Sequence, residues 1–107
     1  MFSGYEIPGT KFIVPALSGR DAIRFEDAGY FKRIEGDSHP AVRHALIKEI
    51  VHAAMTRNYP NVTAEDVEPL VTVENMVRLY WAAQGMPTST IEETWAKVQA
   101  NPRTPQT

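Results

Sequence analysis

A chain of 107 residues, 43% apolar and 22% charged, is sized for one domain and composed like an ordinary globular protein. Its formal net charge of −2 supplies no broad positive field for a phosphate backbone, so a dedicated nucleic-acid binder is not expected. The absence of cysteine excludes disulfides, iron–sulfur clusters and thiol catalysis, and no apolar run approaches the ~20 residues of a membrane-spanning helix.

At the N-terminus, "GYEIPGTKFIVPAL" places two β-compatible runs, Tyr5–Ile7 and Lys11–Val14, on either side of Pro8-Gly9-Thr10. Proline followed by glycine is a turn signal, so a short hairpin is predicted that ends at Pro15 and must lie against other elements to persist. The stretch holds no basic region followed by an apolar run, so no secretory signal is expected. Ser18 with Asp21 three residues on reads as the cap of a helix, which either ends near residue 28 or runs past Gly29 to Arg33. On that helix Ile23 and Tyr30 share one face, and Ala22, Phe25 and Ala28 another.

After the turn formers of "EGDSHP", Pro40 suits a first helical position, with Ser38 or His39 as cap. From Ala41 to Asn58, residues Val42, Leu46, Ile47, Ile50, Val51, Ala53 and Ala54 fill about half the circumference of a helix. So wide a stripe predicts a central helix touching more than one neighbour. His44, Lys48, Glu49, His52 and Thr56 fall on the opposite half, which reads as a solvated polar face. Pro60 stops this helix through its restriction on Tyr59. Thr63 caps a short helix over Ala64–Leu70, with Glu65 and Asp66 in its first turn and Pro69 limiting its length. Thr72 caps the next, whose apolar positions are Val73, Met76, Val77 and Tyr80 and whose stop is Gly85. A last helix opens at Ser89 or Thr90 and carries Ile91, Trp95 and Val98. The predicted architecture is mainly α: a compact bundle of four to five helices with a short N-terminal β-hairpin. It forms one domain over residues 1–100, followed by a flexible tail, "NPRTPQT", over 101–107.

Catalytic chemistry finds little support in these residues. His44 and His52 are eight apart, about 12 Å of helix rise, too far to share one ion, and Lys48 stands where a second zinc ligand would fall. Glu65, Asp66 and Glu68 are explained as helix-start acids rather than an acid–base pair. Arg20, Arg24, Lys32 and Arg33 surround aromatic residues, but Asp21, Glu26, Asp27 and Glu35 interleave and cancel their field. "NVT" at 61–63 matches a glycosylation acceptor, yet without secretory features it is incidental. No nucleophile elbow, phosphate loop or dinucleotide glycine pattern is present. An enzyme is therefore not expected, and no catalytic, cofactor or metal residue is assigned. Trp81, at the edge of its helix stripe, together with Arg78 and Trp95, forms the candidate partner-binding set, because aromatic and arginine side chains anchor interfaces.

Val14-Pro15 before a charged helix, Arg57-Asn58-Tyr59-Pro60 closing a long one, and the Thr63, Glu65 and Val67 cap pattern leading towards Gly85 form a distinctive order. Over residues 11 to 86 this order resembles the tail assembly chaperones of long-tailed bacteriophages. Pro69 and the aromatic "LYWAAQG" depart from that family's pattern. The resemblance implies a non-enzymatic role: binding the long helical tape-measure protein, keeping it soluble and helping to recruit tail-tube subunits. It also implies residence in the host bacterial cytoplasm, absence from the mature virion, and no nucleic-acid, membrane or cofactor partner, and it leaves room for self-association. In many members a frameshift appends a further domain, and a loose C-terminal end would suit such a junction. A small structural component of the virion, such as a head–tail connector or completion protein, is the alternative, since these too are small, acidic and helical. A helical enzyme or transcriptional regulator is the third reading, resting only on the histidines and the Arg20–Arg33 stretch.

Overall fold

The computed structural model describes residues 2–36 and 38–100; the predicted tail over 101–107 lies outside the described residues. An antiparallel hairpin, β1 (Tyr5–Glu6) and β2 (Ile13–Val14), pairs Tyr5 with Val14 and Glu6 with Ile13. Its turn is held by Thr10, whose N–H donates to Ile7 O at 3.0 Å and whose hydroxyl donates to the same oxygen at 2.9 Å. Tyr5, Ile7 and Val14 are fully buried, because the hairpin lies on helices α3 (Pro40–Met55) and α5 (Met76–Ala83). The ordered pairing is shorter than the two predicted strands, since Pro8 and the Thr10 contacts divert the chain into the turn.

Six α-helices occur among the described residues, where four to five are predicted. The extra one comes from Gly29. Its left-handed backbone, φ 80°, ends α1 (Gly19–Asp27) near residue 28, the first of the two predicted alternatives, and α2 (Tyr30–Glu35) follows as a separate helix. The change of direction alters which side chains meet. Tyr30 packs on buried Phe25, with ring centroids 4.9 Å apart, and Ile23 is left 64% exposed rather than sharing a face with Tyr30. Ser18 caps α1 as predicted, accepting the Asp21 N–H at 3.1 Å.

Helix α3 is the central element. Leu46, Ile47, Ile50, Val51, Ala54 and Met55 are buried, and α3 meets β2, α2, α5 and the short helix α4 (Ala64–Val67). His39 caps it through Nδ1, which accepts the Ala41 N–H at 3.1 Å, and Pro40 occupies its first turn. The helix ends at Met55 instead of Asn58. The N–H groups of Asn58 and Tyr59 both donate to Met55 O, tightening the chain into a corner before Pro60.

The polar half of α3 is solvated only in part: Glu49 is exposed, as predicted, but the histidines are partly covered. His44 Nε2 lies 2.7 Å from Val71 O and His52 Nε2 lies 3.0 Å from Val62 O, and both rings are half-buried. A carbonyl can only accept, so each imidazole carries its proton on Nε2. The segment from Val62 to Val71 runs back along α3, and the two histidines clip its carbonyls at both ends. Between them Lys48 bonds Glu68 at 2.8 and 2.9 Å. A helical pattern marks which residues are polar; only the returning chain decides that these ones are covered.

The returning segment is itself well capped. Thr63 and Asp66 form a reciprocal capping box at 3.0 and 3.1 Å, after which α4 tightens into a 3₁₀ turn over Glu68–Leu70 that accommodates Pro69. Thr72 and Asn75 repeat the reciprocal bonds at 2.8 and 3.1 Å, and Asn75 Nδ2 also donates to Leu70 O at 3.0 Å. Asn75 is buried with these polar atoms paired. Because α5 starts only at Met76, Val73 lies ahead of its first turn and is 74% exposed. The core face of α5 is instead Met76, Leu79, Tyr80, Ala82 and Ala83. Gly85 ends the helix as predicted, with Gly85 N–H on Ala82 O and Met86 N–H on Trp81 O.

Hydrogen bonds to Asp66 from the Thr63 backbone and side chain hold its carboxyl below the usual aspartate range, and Lys48 does the same for Glu68. A carboxyl depressed in the folded state contributes stability that is complete at neutral pH and lost as pH falls through its folded pKa. The urea midpoint is therefore expected to decline as pH drops from about 5 towards 2. A chain carrying Asp66→Asn and Glu68→Gln should show a flatter decline over the same window. Parallel curves for the two chains would disprove the assignment.

Candidate partner-binding site

The three residues singled out in the sequence, Arg78, Trp81 and Trp95, are brought together where α5 meets α6 (Thr88–Ala100). The Arg78 guanidinium lies 4.8 Å from the centre of the Trp95 ring, and the two indoles meet edge to face at 6.4 Å. All three are half-buried. Arg78 Nη1 reaches the Tyr5 hydroxyl at 3.5 Å, while its buried Nε has no hydrogen-bond partner among the described residues. Burial raises the Tyr5 pKa, partly opposed by Arg78, and Glu92 on α6 flanks the same hydroxyl. Much of this cluster is engaged inside the molecule: Ile91 is the buried contact of α6, and the arginine–indole stack adds about 0.5–2 kcal/mol of attachment.

A second site emerges at the corner that follows α3. Here the two separated parts of the sequence pattern touch. Asn58 Nδ2 donates to Ile13 O at 3.2 Å, the Tyr59 hydroxyl accepts the Ile13 N–H at 3.0 Å, and Arg57 Nη1 donates to Ala16 O at 2.6 Å. Asn58 and Tyr59 thus satisfy the N–H and C=O that β2 turns away from β1, taking the place of a neighbouring strand. The chain beyond Pro15 is then tied to the end of α5 by the Leu17 N–H on Ala83 O at 2.8 Å.

Around this junction Val14, Pro15, Arg57, Asn58 and Gly85, together with Gly4 and Met86, line a cleft of about 290 Å³. Five of these lining residues belong to the pattern read from the sequence. Arg57 is the one charged residue among those lining it. On the neighbouring surface the Tyr59 ring is flanked edge-on by Phe2 at 5.0 Å and Phe12 at 5.3 Å. Phe2 is 46% and Phe12 38% exposed. Sequence reasoning misses this aromatic trio, because its members come from positions 2, 12 and 59 and no local periodicity links them. Strand alternation supplies no signal either, because Phe12 stands two residues before buried Val14, on the side where it would be expected to be covered.

No family model, curated protein or solved structure matches the chain. Among the described residues no helix is long and apolar enough to cross a membrane.

Proposed function

We propose that this protein is a phage tail assembly chaperone, a non-enzymatic module that binds the tape-measure protein and helps bring tail-tube subunits to it. The observation that carries this reading is that Ile13 and Ala16, which flank Val14-Pro15, bond to Asn58, Tyr59 and Arg57 in one junction, beside a cleft that Val14, Pro15, Arg57 and Asn58 line. Residues about 45 positions apart that bond one another act as one unit, and the resemblance rests on that same unit. A small helical body with exposed aromatics beside a cleft suits the masking of a long amphipathic helix by side-chain docking. Action in the host cytoplasm and absence from the finished particle belong to the same proposal.

Co-expression with the tape-measure protein encoded beside it is the direct test. The expected result is a several-fold rise in soluble tape-measure protein and a complex that survives size-exclusion chromatography. Unchanged solubility with no complex would overturn the proposal. Recovery of the chain from purified mature particles by mass spectrometry would do so too, in favour of a structural connector or completion protein.

A further inference from the structure

Helix α6 is lightly anchored for its length. Of its 13 residues one, Ile91, is fully buried; Thr94 and Trp95 are half-buried and the rest exposed. On α3, by contrast, six of 16 residues are buried, and on α5 five of eight. Thr88 Oγ1 donates to Gly4 O at a long 3.3 Å, and among the described residues no ion pair joins α6 to the rest of the molecule. Its docking also carries a cost. The Trp95 ring covers one face of the Arg78 guanidinium, whose buried Nε has no partner among the described residues, so a charged donor is desolvated without return. The connection to α5 holds Gly85 at φ 93° and then Pro87, a joint between two helices. Few buried contacts, an unpaired donor and a glycine joint together mark an element that opens before the rest of the fold.

Lifting α6 uncovers a seat on α5 made by Trp81, Arg78 and the surface that buries Ile91. The shape of that seat is known, because α6 fills it with an aliphatic side chain and, four residues on, an aromatic one. Such positions are neighbours about 6 Å apart on a helix but about 13 Å apart along a strand, so an extended segment cannot fill both places. The fit of α6 is incomplete: Trp81 stays half-buried, and the polar Thr94 lies beside Trp95. A second copy's α6 would repeat contacts that the chain's own helix already makes at higher effective concentration, and it gains nothing by doing so. We infer that α6 is a displaceable cover, and that an amphipathic helix of another protein takes its place on α5. That helix presents an aliphatic side chain, an aromatic one four residues later, and a wider apolar stripe than α6 offers. The inference rests on the binding-module reading above and adds the place and chemistry of the contact.

The test uses the full chain and a peptide of the α6 sequence carrying Thr94→Leu, with binding followed by amide NMR. Two forms of the chain are compared: the unsubstituted one and Trp95→Ala, which weakens the cover and leaves the seat intact. The peptide is expected to bind Trp95→Ala at least about tenfold more tightly, because the unsubstituted seat is largely filled by its own helix. Adding Trp81→Ala to that variant should weaken binding about tenfold, the size of an interface anchor's loss. Thermal unfolding followed by circular dichroism checks that the variants remain folded. Hydrogen exchange of the unsubstituted chain gives a reading that needs no variant: amides around Trp95 should be protected at least about 100-fold less than those of Ile50 and Leu79. Equal protection, equal affinity of the two chains, no binding to Trp95→Ala, or binding unmoved by Trp81→Ala would overturn the proposal. So would equal binding of a scrambled peptide, or a dimer of the free chain that the peptide dissociates in sedimentation. The peptide is not the tape-measure protein, so failed co-expression with retained peptide binding would locate the error in the identity of the partner.

Discussion

Replacing Gly4 with alanine is expected to lower the unfolding free energy by about 3–5 kcal/mol, a large part of the roughly 5–15 kcal/mol a domain of this size possesses. Two causes add. Gly4 has φ 141°, a conformation that side chains with a Cβ rarely adopt, at a strain of about 1–3 kcal/mol. A Cβ there would also lie 2.4 Å from Val14 O, 2.7 Å from Val14 C and 2.9 Å from Pro15 Cα. All three are backbone atoms, so no side chain can turn aside, and β1 must move off β2. Gly9→Ala is the matched control. Its φ is 82°, but nothing lies within 4 Å of its Cβ position, so it should cost only about 1–2 kcal/mol. Urea midpoints and slopes for the two variants check this, and equal losses would show that the close approach at Gly4 contributes nothing. Because Gly4 lines the cleft, the alanine variant should also alter the surface on which partner binding is proposed.

Leu79→Ala is expected to cost about 3–4 kcal/mol and to lower the melting temperature by roughly 15–20 °C. Leu79 is fully buried on α5, the helix that packs on α3, and the vacated volume would be enclosed by residues already close-packed. Val73→Ala provides the contrast. Val73 is 74% exposed, so its truncation should change stability by less than about 0.5 kcal/mol. Calorimetry of the two variants separates the observed core face of α5 from the one suggested by counting back to Val73. Comparable losses would contradict the register of this helix.

That pair of substitutions shows where local sequence is informative and where it stops. Thr72 makes with Asn75 the reciprocal bonds of a helix start, but the N-cap position of α5 falls three residues later, at Asn75. Helical periodicity carried back to Val73 then assumes that the first turn is already formed, which the chain does not do until Met76. Gly29 gives a similar lesson. A helix breaker is visible in the sequence, but whether it ends a helix or bends it depends on what the next turn packs against. In the fold Tyr30 seats on Phe25, and Tyr80 donates to Glu35 at 2.7 Å; burial first, and then that bond, raise the Tyr80 pKa.

The candidate site divides along the same line. Arg78, Trp81 and Trp95 are visible in the sequence as interface-type residues, and the fold gathers them. Their stacking is largely turned to joining α5 and α6, which composition does not reveal. Phe2, Phe12 and Tyr59 have no common sequence signal and become a surface only when the hairpin folds onto the corner after α3.

The sequence by itself determined the helical class, the N-terminal hairpin, the caps at Ser18 and Thr63, a cap at Ser38 or His39, and the central place of the helix that begins near Pro40. Those features follow from interactions within a few residues, where backbone preferences and amphipathic period act directly. Only the tertiary structure decided that His44 and His52 clip a returning chain, and that Arg57, Asn58 and Tyr59 bond the hairpin across 41 to 46 positions. It also decided which aromatic rings remain open to solvent. Such contacts depend on the burial of many residues at once, and no single stretch of chain encodes them.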